Sequence, residues 1–401
     1  MEQAANIHTI DGIRHDKVKS FRYTLPAQEI LFGAGVLEQL GSAASQNGWQ
    51  RLMLCTSPSL RPNGYVAPIE AALGERLVAS YERTQAHVLD YQLAEALESA
   101  IAHNVDAVIG LGGGSTIGIA KAVSASLEEQ RTSKPARAAY PTEQPLVPVI
   151  AIPTTYAGSE MTPVYGVTHT KGDPVRKVTV KDIKIAPKLV IYDPTLTLSL
   201  PPNVTAGTGI NALAHCVEAL YSTTRHPVAT AAALEGIRYI TRALPVCHAN
   251  GADLAARTEM LIGAHLAGAA LATVSMAIHH GLCHILGGTV RVPHGVANAI
   301  ILPHAMRFNL DAVAPELARA AEAMGLEREN KTDAQMAQAG IEFVEKLIRT
   351  LGLPQHLRDA GVAESDLPKL AALAFNSTTV QNNPRPLASV QEAEALFHAA
   401  W

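Results

Sequence analysis

Residues 106–121 read DAVIGLGGGSTIGIAK. The apolar run Asp106–Leu111 has the composition of a buried strand, and Gly112, Gly113 and Gly114 follow it directly. Ser115 and Thr116 then open a segment with helical spacing of apolar residues. Three glycines let a backbone pass close to an anion, and a helix N-terminus turns free N–H groups and a partial positive charge toward it. The pattern is neither G-x-G-x-x-G nor Walker A, so it indicates a phosphate-binding turn without specifying the nucleotide.

The same alternation extends on both sides. Arg51–Thr56 (RLMLCT), Pro145–Ile152 (PLVPVIAI) and Leu189–Tyr192 (LVIY) read as buried strands, with helices such as Gly35–Gln46 and Glu95–Asn104 between them. Strands separated by helices predict a parallel, doubly wound sheet. Arg22–Leu25 and Glu29–Phe32 flank Pro26 and read as a hairpin, and the polar stretch Leu127–Gln144 reads as a surface loop. After Asp193–Asn203 (DPTLTLSLPPN) the texture changes to alanine- and leucine-rich helical runs, broken by Pro227, Pro245, Pro293 and Pro303. The expected architecture is an N-terminal α/β dinucleotide-binding domain with a parallel sheet, residues 1–200, and an all-helical C-terminal domain, residues 201–401.

Composition narrows the function classes. The chain has 401 residues, 48% hydrophobic and 17% charged, which suits a well-buried globular protein of two domains. Thirty-two basic and 36 acidic residues give a net charge of −4, so no broad basic field awaits nucleic acid. The N-terminus MEQAANIHTIDGIRHDK carries charges where a signal peptide needs an apolar run. Ala264–Ile278, the longest apolar stretch, is too short to span a bilayer. Cys55, Cys216, Cys247 and Cys283 are widely spaced, as expected of reduced thiols in a cytoplasm. A soluble cytoplasmic protein without membrane or nucleic-acid partners is expected.

Sixteen histidines are present, and several gather between residues 265 and 304. Asn211 and His215 lie four residues apart in GTGINALAHCVEAL and share a helix face, as do His280 and His284 in HHGLCHILGG. His294 follows Pro293, where a new helix should begin. Two histidine pairs with a carboxylate would make a metal site, but position 211 offers an amide, a neutral and poor ligand. Proton transfer and oxyanion stabilisation by imidazoles fit the set better.

Together these features resemble the iron-containing alcohol dehydrogenase family, and within it the maleylacetate reductases. The resemblance runs from EILFGAG through GGGST, PTTYAGSE, KLVIYDPTL and PHGVANAIILPHAM. It implies an active site in the cleft between the two domains. In metal-bearing members an Asp and three His hold the ion, at the positions of Asn211, His215, His280 and His294 here; His284 matches a further active-site histidine. The departure at Asn211, with the pattern Gly209–His215 and the stretch IPTTYAGSEMTPVYGVT, resembles the metal-free maleylacetate reductases.

What the resemblance implies is NADH- or NADPH-dependent reduction of the carbon–carbon double bond of maleylacetate, or a substituted maleylacetate, to 3-oxoadipate during aromatic-compound degradation. It further implies a homodimer and no metal. Gly113, Gly114 and Ser115 would hold the pyrophosphate, while Thr154, Thr155, Ser159, Lys177 and Leu196 line the cofactor cleft. His215, His280, His284, His294 and Asn211 would form the catalytic set, with Arg291 a candidate partner for a substrate carboxylate. Where many members place an Asp after the strand that ends at Thr56, this chain has Ser57, which adds no repulsion, and Arg61 beyond it is either an exposed loop arginine or one turned inward to a 2′-phosphate, so both cofactors are expected to work. The competing expectation is a metal-dependent alcohol dehydrogenase of the same family.

Overall fold

The computed structural model describes residues 21–85, 88–132, 145, 147–170 and 176–401. The N-terminal stretch inspected for a signal sequence, and 133–144 of the expected loop, lie outside the described residues. The first part of the chain contains β1 (Glu29–Phe32), α1 (Leu40–Gln46), β2 (Leu52–Cys55), α2 (Ala67–Leu73), β3 (Leu77–Tyr81), α3 (Asp90–Ala102), β4 (Ala107–Gly112), α4 (Gly114–Thr132), β5 (Val149–Pro153), β6 (Val164–His169), β7 (Arg176–Lys181) and β8 (Leu189–Tyr192). From Pro202 every element is helical: α5 (Pro202–Tyr221), α6 (Pro227–Ala249), α7 (Leu254–Thr273), α8 (Ile278–Thr289), α9 (His294–Ala323), α10 (Asp333–Thr350), α11 (Leu367–Phe375), α12 (Thr378–Gln381) and α13 (Val390–Ala400).

Six strands form one sheet in the order β1-β8-β5-β4-β2-β3, and every pairing in it is parallel. Strand side chains alternate between faces, so both faces must be covered by apolar packing. Leu52, Leu54, Ile109, Leu111, Ile150 and Ile152 face one layer with α1 and α2, whereas Met53, Cys55, Val108 and Val149 face the layer of α3 and α4. A third cluster runs without interruption from Ala151, Val190 and Tyr192 into α5, α6, α7, α9 and α10. The sheet end and the helical part therefore share one core.

Four expectations need correction. β1 pairs in parallel with β8, Glu29 opposite Leu189, and Arg22–Leu25 forms no strand, so there is no hairpin about Pro26. Residues Leu127–Thr132 are the last turns of α4 rather than loop, because the buried Glu128 carboxylate accepts from Lys184 Nζ at 2.8 Å. Pro245 and Pro303 sit inside α6 and α9 and break neither helix; α9 bends instead at Val313, two residues before Pro315. β3 and the antiparallel hairpin β6–β7 were not expected at all. Cys55, Cys216, Cys247 and Cys283 are buried and unpaired. Among the described residues no single helix is long and apolar enough to cross a membrane.

Candidate active site

The strand-to-helix turn is built as its glycines require. Gly112 ends β4 at a φ of +129°, a backbone state that L side chains rarely adopt. Its carbonyl accepts from Thr154 N at 3.0 Å, which ties the turn to the end of β5. Gly114 is the first residue of α4 and Ser115 the second, so the first-turn N–H groups open at the C-terminal edge of the sheet. A cleft of about 310 Å³ lies at this edge. Ser57, Gly113, Thr154, Thr155 and Leu196 line it, together with residues the sequence did not single out, among them Asn63, Tyr65 and Ser199. Gly114 and Ser115 open α4 beside this lining; a Cβ at Gly114 would touch Ala157 and Ser159. Lys177 stands in β7 opposite Thr168.

Two buried cations hold the segment after β5. Lys121 Nζ, on α4, donates to the carbonyl oxygens of Ser159, Thr162 and Val164 at 2.5, 2.7 and 3.1 Å. Burial lowers this ammonium to about 7. Arg257 on α7 donates to Tyr156 Oη and Thr205 Oγ1, both at 2.9 Å, joining the same segment to the start of α5. PTTYAGSEMTP is thereby fixed between the cleft at the sheet edge and the helices. Asn211 Nδ2 donates to Ala157 O at 3.4 Å, and a Cβ built at Gly158 would come within 3.6 Å of His215 Nδ1.

Four imidazoles gather there from three helices. His215 stacks on His280 with ring centroids 4.5 Å apart and 14° between planes. His284 stacks on His294 at 5.8 Å and 19°, and His280 lies 6.3 Å from each of those two rings. His294 opens α9, and Gly295 beside it meets Gly207 of α5 backbone to backbone. The histidine cluster thus depends on two facing glycines. His215 and His280 are buried, His294 is half-buried and His284 exposed. Burial, reinforced by the neighbouring histidines, pushes the first two well below the usual imidazole range, so both are neutral at pH 7.

Two further residues were missed. Glu218 lies one turn beyond His215 on α5 and is fully buried; its Oε2 stands 2.6 Å from His280 Nδ1. His279 also reaches His280, Nδ1 to Nδ1, at 3.1 Å. Burial raises Glu218 to about 7, against the pull of His279 and the backbone N–H groups around it. The one signal in the sequence was an acid three residues after His215 in a helix with no other Asp, Glu, Lys or Arg.

Arg61 is held by carboxylates and Arg291 is a surface residue. Arg61 Nε and Nη2 donate to the Glu82 carboxylate at 2.6 Å each, and Nη2 also donates to Glu70 at 2.7 Å. Its guanidinium is committed to two carboxylates rather than open to a phosphate. Arg291 sits exposed in the short link between α8 and α9 at a φ of +58°.

Known proteins share this fold and much of this sequence. Residues 27–194 match the family described as iron-containing alcohol dehydrogenase, and residues 205–401 match the C-terminal part of the Fe-containing alcohol dehydrogenase family. A maleylacetate reductase of Burkholderia cepacia is 36% identical over 95% of this chain and 98% of its own length. The crystal structure of maleylacetate reductase from Agrobacterium tumefaciens superposes with a TM-score of 0.80 at 32% identity, covering 96% of this chain and 98% of that one. A 1,3-propanediol oxidoreductase structure gives a TM-score of 0.88 at 32% identity over 96% of this chain and 100% of that one. The chain belongs to the iron-containing alcohol dehydrogenase family.

Proposed function

We propose that the protein is a maleylacetate reductase, which uses NADH or NADPH to reduce the conjugated carbon–carbon double bond of maleylacetate or a substituted form. The observation that carries this reading is the four-histidine cluster, with an amide at 211, set against the segment that borders a dinucleotide-type turn. The product is 3-oxoadipate, and the overall change consumes one NAD(P)H and one proton. The chain would act in the cytoplasm as a homodimer, with residues 1–200 binding cofactor and 201–401 supplying the histidines.

In this scheme Gly113, Gly114 and Ser115 hold the pyrophosphate, and Ser57, Thr154, Thr155, Ser159, Lys177 and Leu196 complete the cofactor cleft. A nicotinamide held there would supply hydride to the alkene carbon β to the ketone. Charge moves onto the ketone oxygen as an enolate, and a proton then goes to the adjacent carbon. Oriented hydrogen-bond donors at such an oxygen are worth about 3–4 kcal/mol each. His284 and His294 sit on the open side of the cluster and can exchange protons with solvent, whereas His215 and His280 are enclosed. The open pair suits delivery of the proton, and the enclosed pair shapes the polar floor.

A divalent ion is tested by the donor set. Asn211 Oδ1, His215 Nδ1 and His280 Nε2 are buried without a hydrogen-bond partner among the described residues. These are neutral atoms, and the buried carboxylate nearby, Glu218, stands behind His280 instead of beside Asn211. The set therefore lacks the anionic ligand of the Asp-and-three-His site. The test is NADH oxidation by the purified protein with maleylacetate, before and after exhaustive chelation. Turnover that survives chelation is expected. Activity that disappears and returns with added iron or zinc would instead establish the metal-dependent alcohol dehydrogenase type of chemistry.

A further inference from the structure

We propose that Glu218 is a positioning residue: it fixes the tautomer of His280 so that Nδ1 carries the proton and Nε2 faces the active site as an acceptor. His279 is the fixed point. Its Nε2 lies 3.2 Å from the backbone carbonyl of Asn298, which can only accept, so His279 carries its proton on Nε2. Its Nδ1 is then a lone pair, and it stands 3.1 Å from His280 Nδ1. Two lone pairs would repel at that distance. Glu218 Oε2 approaches the same His280 nitrogen at 2.6 Å from the other element. With Glu218 as a carboxylate, two acceptors converge on His280 Nδ1, and the proton sits there. His280 Nε2, in a residue only 2% exposed, is left with a lone pair and no partner among the described residues.

The other oxygen of the same carboxylate does a separate job. Glu218 Oε1 accepts from Ala277 N at 2.9 Å and His279 N at 3.1 Å, the first N–H groups of α8. A helix start left without a cap from its own N-terminal residue is thereby closed by a carboxylate from α5. One side chain therefore sets both where α8 begins and which nitrogen of His280 is protonated. The consequence for the proposed reaction, on which the turnover readout rests, is that neutral His280 accepts a hydrogen bond and does not donate one to the enolate oxygen. Donation then falls to the other imidazoles.

Glu218→Gln separates the two jobs. The amide oxygen can keep the α8 N–H groups, but the amide nitrogen then meets His280 Nδ1 and donates to it. An N–H donor at the closer Glu218 position outweighs the longer His279 Nδ1 contact, so the imidazole proton is driven to Nε2. A carboxylate-to-amide change that imposes the wrong tautomer on a catalytic histidine costs about 10⁴-fold in turnover in serine proteases. Here the expected loss of kcat is at least hundredfold, with the KM for NADH within twofold of the parent. The direct readout is the long-range ¹H–¹⁵N spectrum of histidine-labelled protein without substrate, with His280 assigned by comparison with His280→Ala. The parent should show a protonated Nδ1 and a bare Nε2, and Glu218→Gln the reverse. A parent spectrum with the proton on Nε2 overturns the proposal, even if the variant proves unfolded. So does a folded Glu218→Gln that keeps both parental turnover and the parental tautomer. Failure of the parent to reduce maleylacetate, with the tautomer as expected, would refute the proposed reaction and leave the positioning role standing.

Discussion

Gly295→Ala adds one methyl group where α9 starts against α5. Its Cβ would lie 2.8 Å from Gly207 Cα, 3.0 Å from the carbonyl carbon and 3.2 Å from the carbonyl oxygen. All three are backbone atoms, so no side chain can turn aside and the helices must part by about half an ångström. Overpacking of this kind costs about 1–3 kcal/mol. Against it stands the better helix propensity of alanine, at most about 1 kcal/mol, so destabilisation wins. The separation also shifts His294, the neighbouring residue, away from His215 and His280. Misplacement of a reacting group by about 1 Å can cost about a hundredfold in rate, so a tenfold loss of kcat is expected. Gly207→Ala should be milder, since its Cβ would meet Gly295 Cα at 3.2 Å. Gly288→Ala is the control: this exposed glycine near the end of α8 has nothing within 4 Å of the added carbon, so it should be neutral or stabilising. Thermal melts of the three variants and steady-state NADH oxidation with maleylacetate measure both effects. A Gly295→Ala protein that melts at or above the parent and turns over normally would refute the glycine-contact argument.

Other expectations concern the site itself. Asn211→Asp restores an anionic ligand beside His215, His280 and His294 and should raise the metal content of protein purified from iron- or zinc-supplemented medium; equal metal in parent and variant would show that the ligand geometry is lost elsewhere too. His280→Ala and His294→Ala should each lower kcat at least tenfold, about 1.4 kcal/mol of transition-state stabilisation, with NADH affinity by fluorescence titration nearly unchanged. Near-parental turnover in both would remove these imidazoles from the chemistry. Both NADH and NADPH should serve the parent. Because Arg61 is tied to Glu82 and Glu70, the double change Glu70→Ala with Glu82→Ala should free it and move kcat/KM toward NADPH, whereas Ser57→Asp should move it toward NADH. If neither substitution alters the ratio at fixed ionic strength, another group governs the 2′ position.

Local pattern determined a great deal here. The apolar run before Gly112, the three glycines and the helical spacing after them located β4, the turn and α4, because each depends on residues adjacent in sequence. β8 was legible to the residue, and the loss of strand signal after Asp193 marked the helical part. The four-residue spacings placed Asn211 with His215 and His280 with His284 on common helix faces. Pairing choices were not legible. The expected hairpin about Pro26 failed because β1 finds its partner in β8, more than 150 residues on, and a short apolar strand carries no mark of which edge it will join. Leu127–Thr132 looked like loop because it runs on into the polar stretch with Ser133, Lys134 and Pro135, but Lys184 from a distant segment meets the Glu128 charge in the interior. Glu218 and Arg61 teach the same lesson at the site. Whether a charged side chain is solvated, neutralised by a partner, or set to orient a histidine depends on what the fold brings within about 3 Å of it, and only tertiary packing decides that.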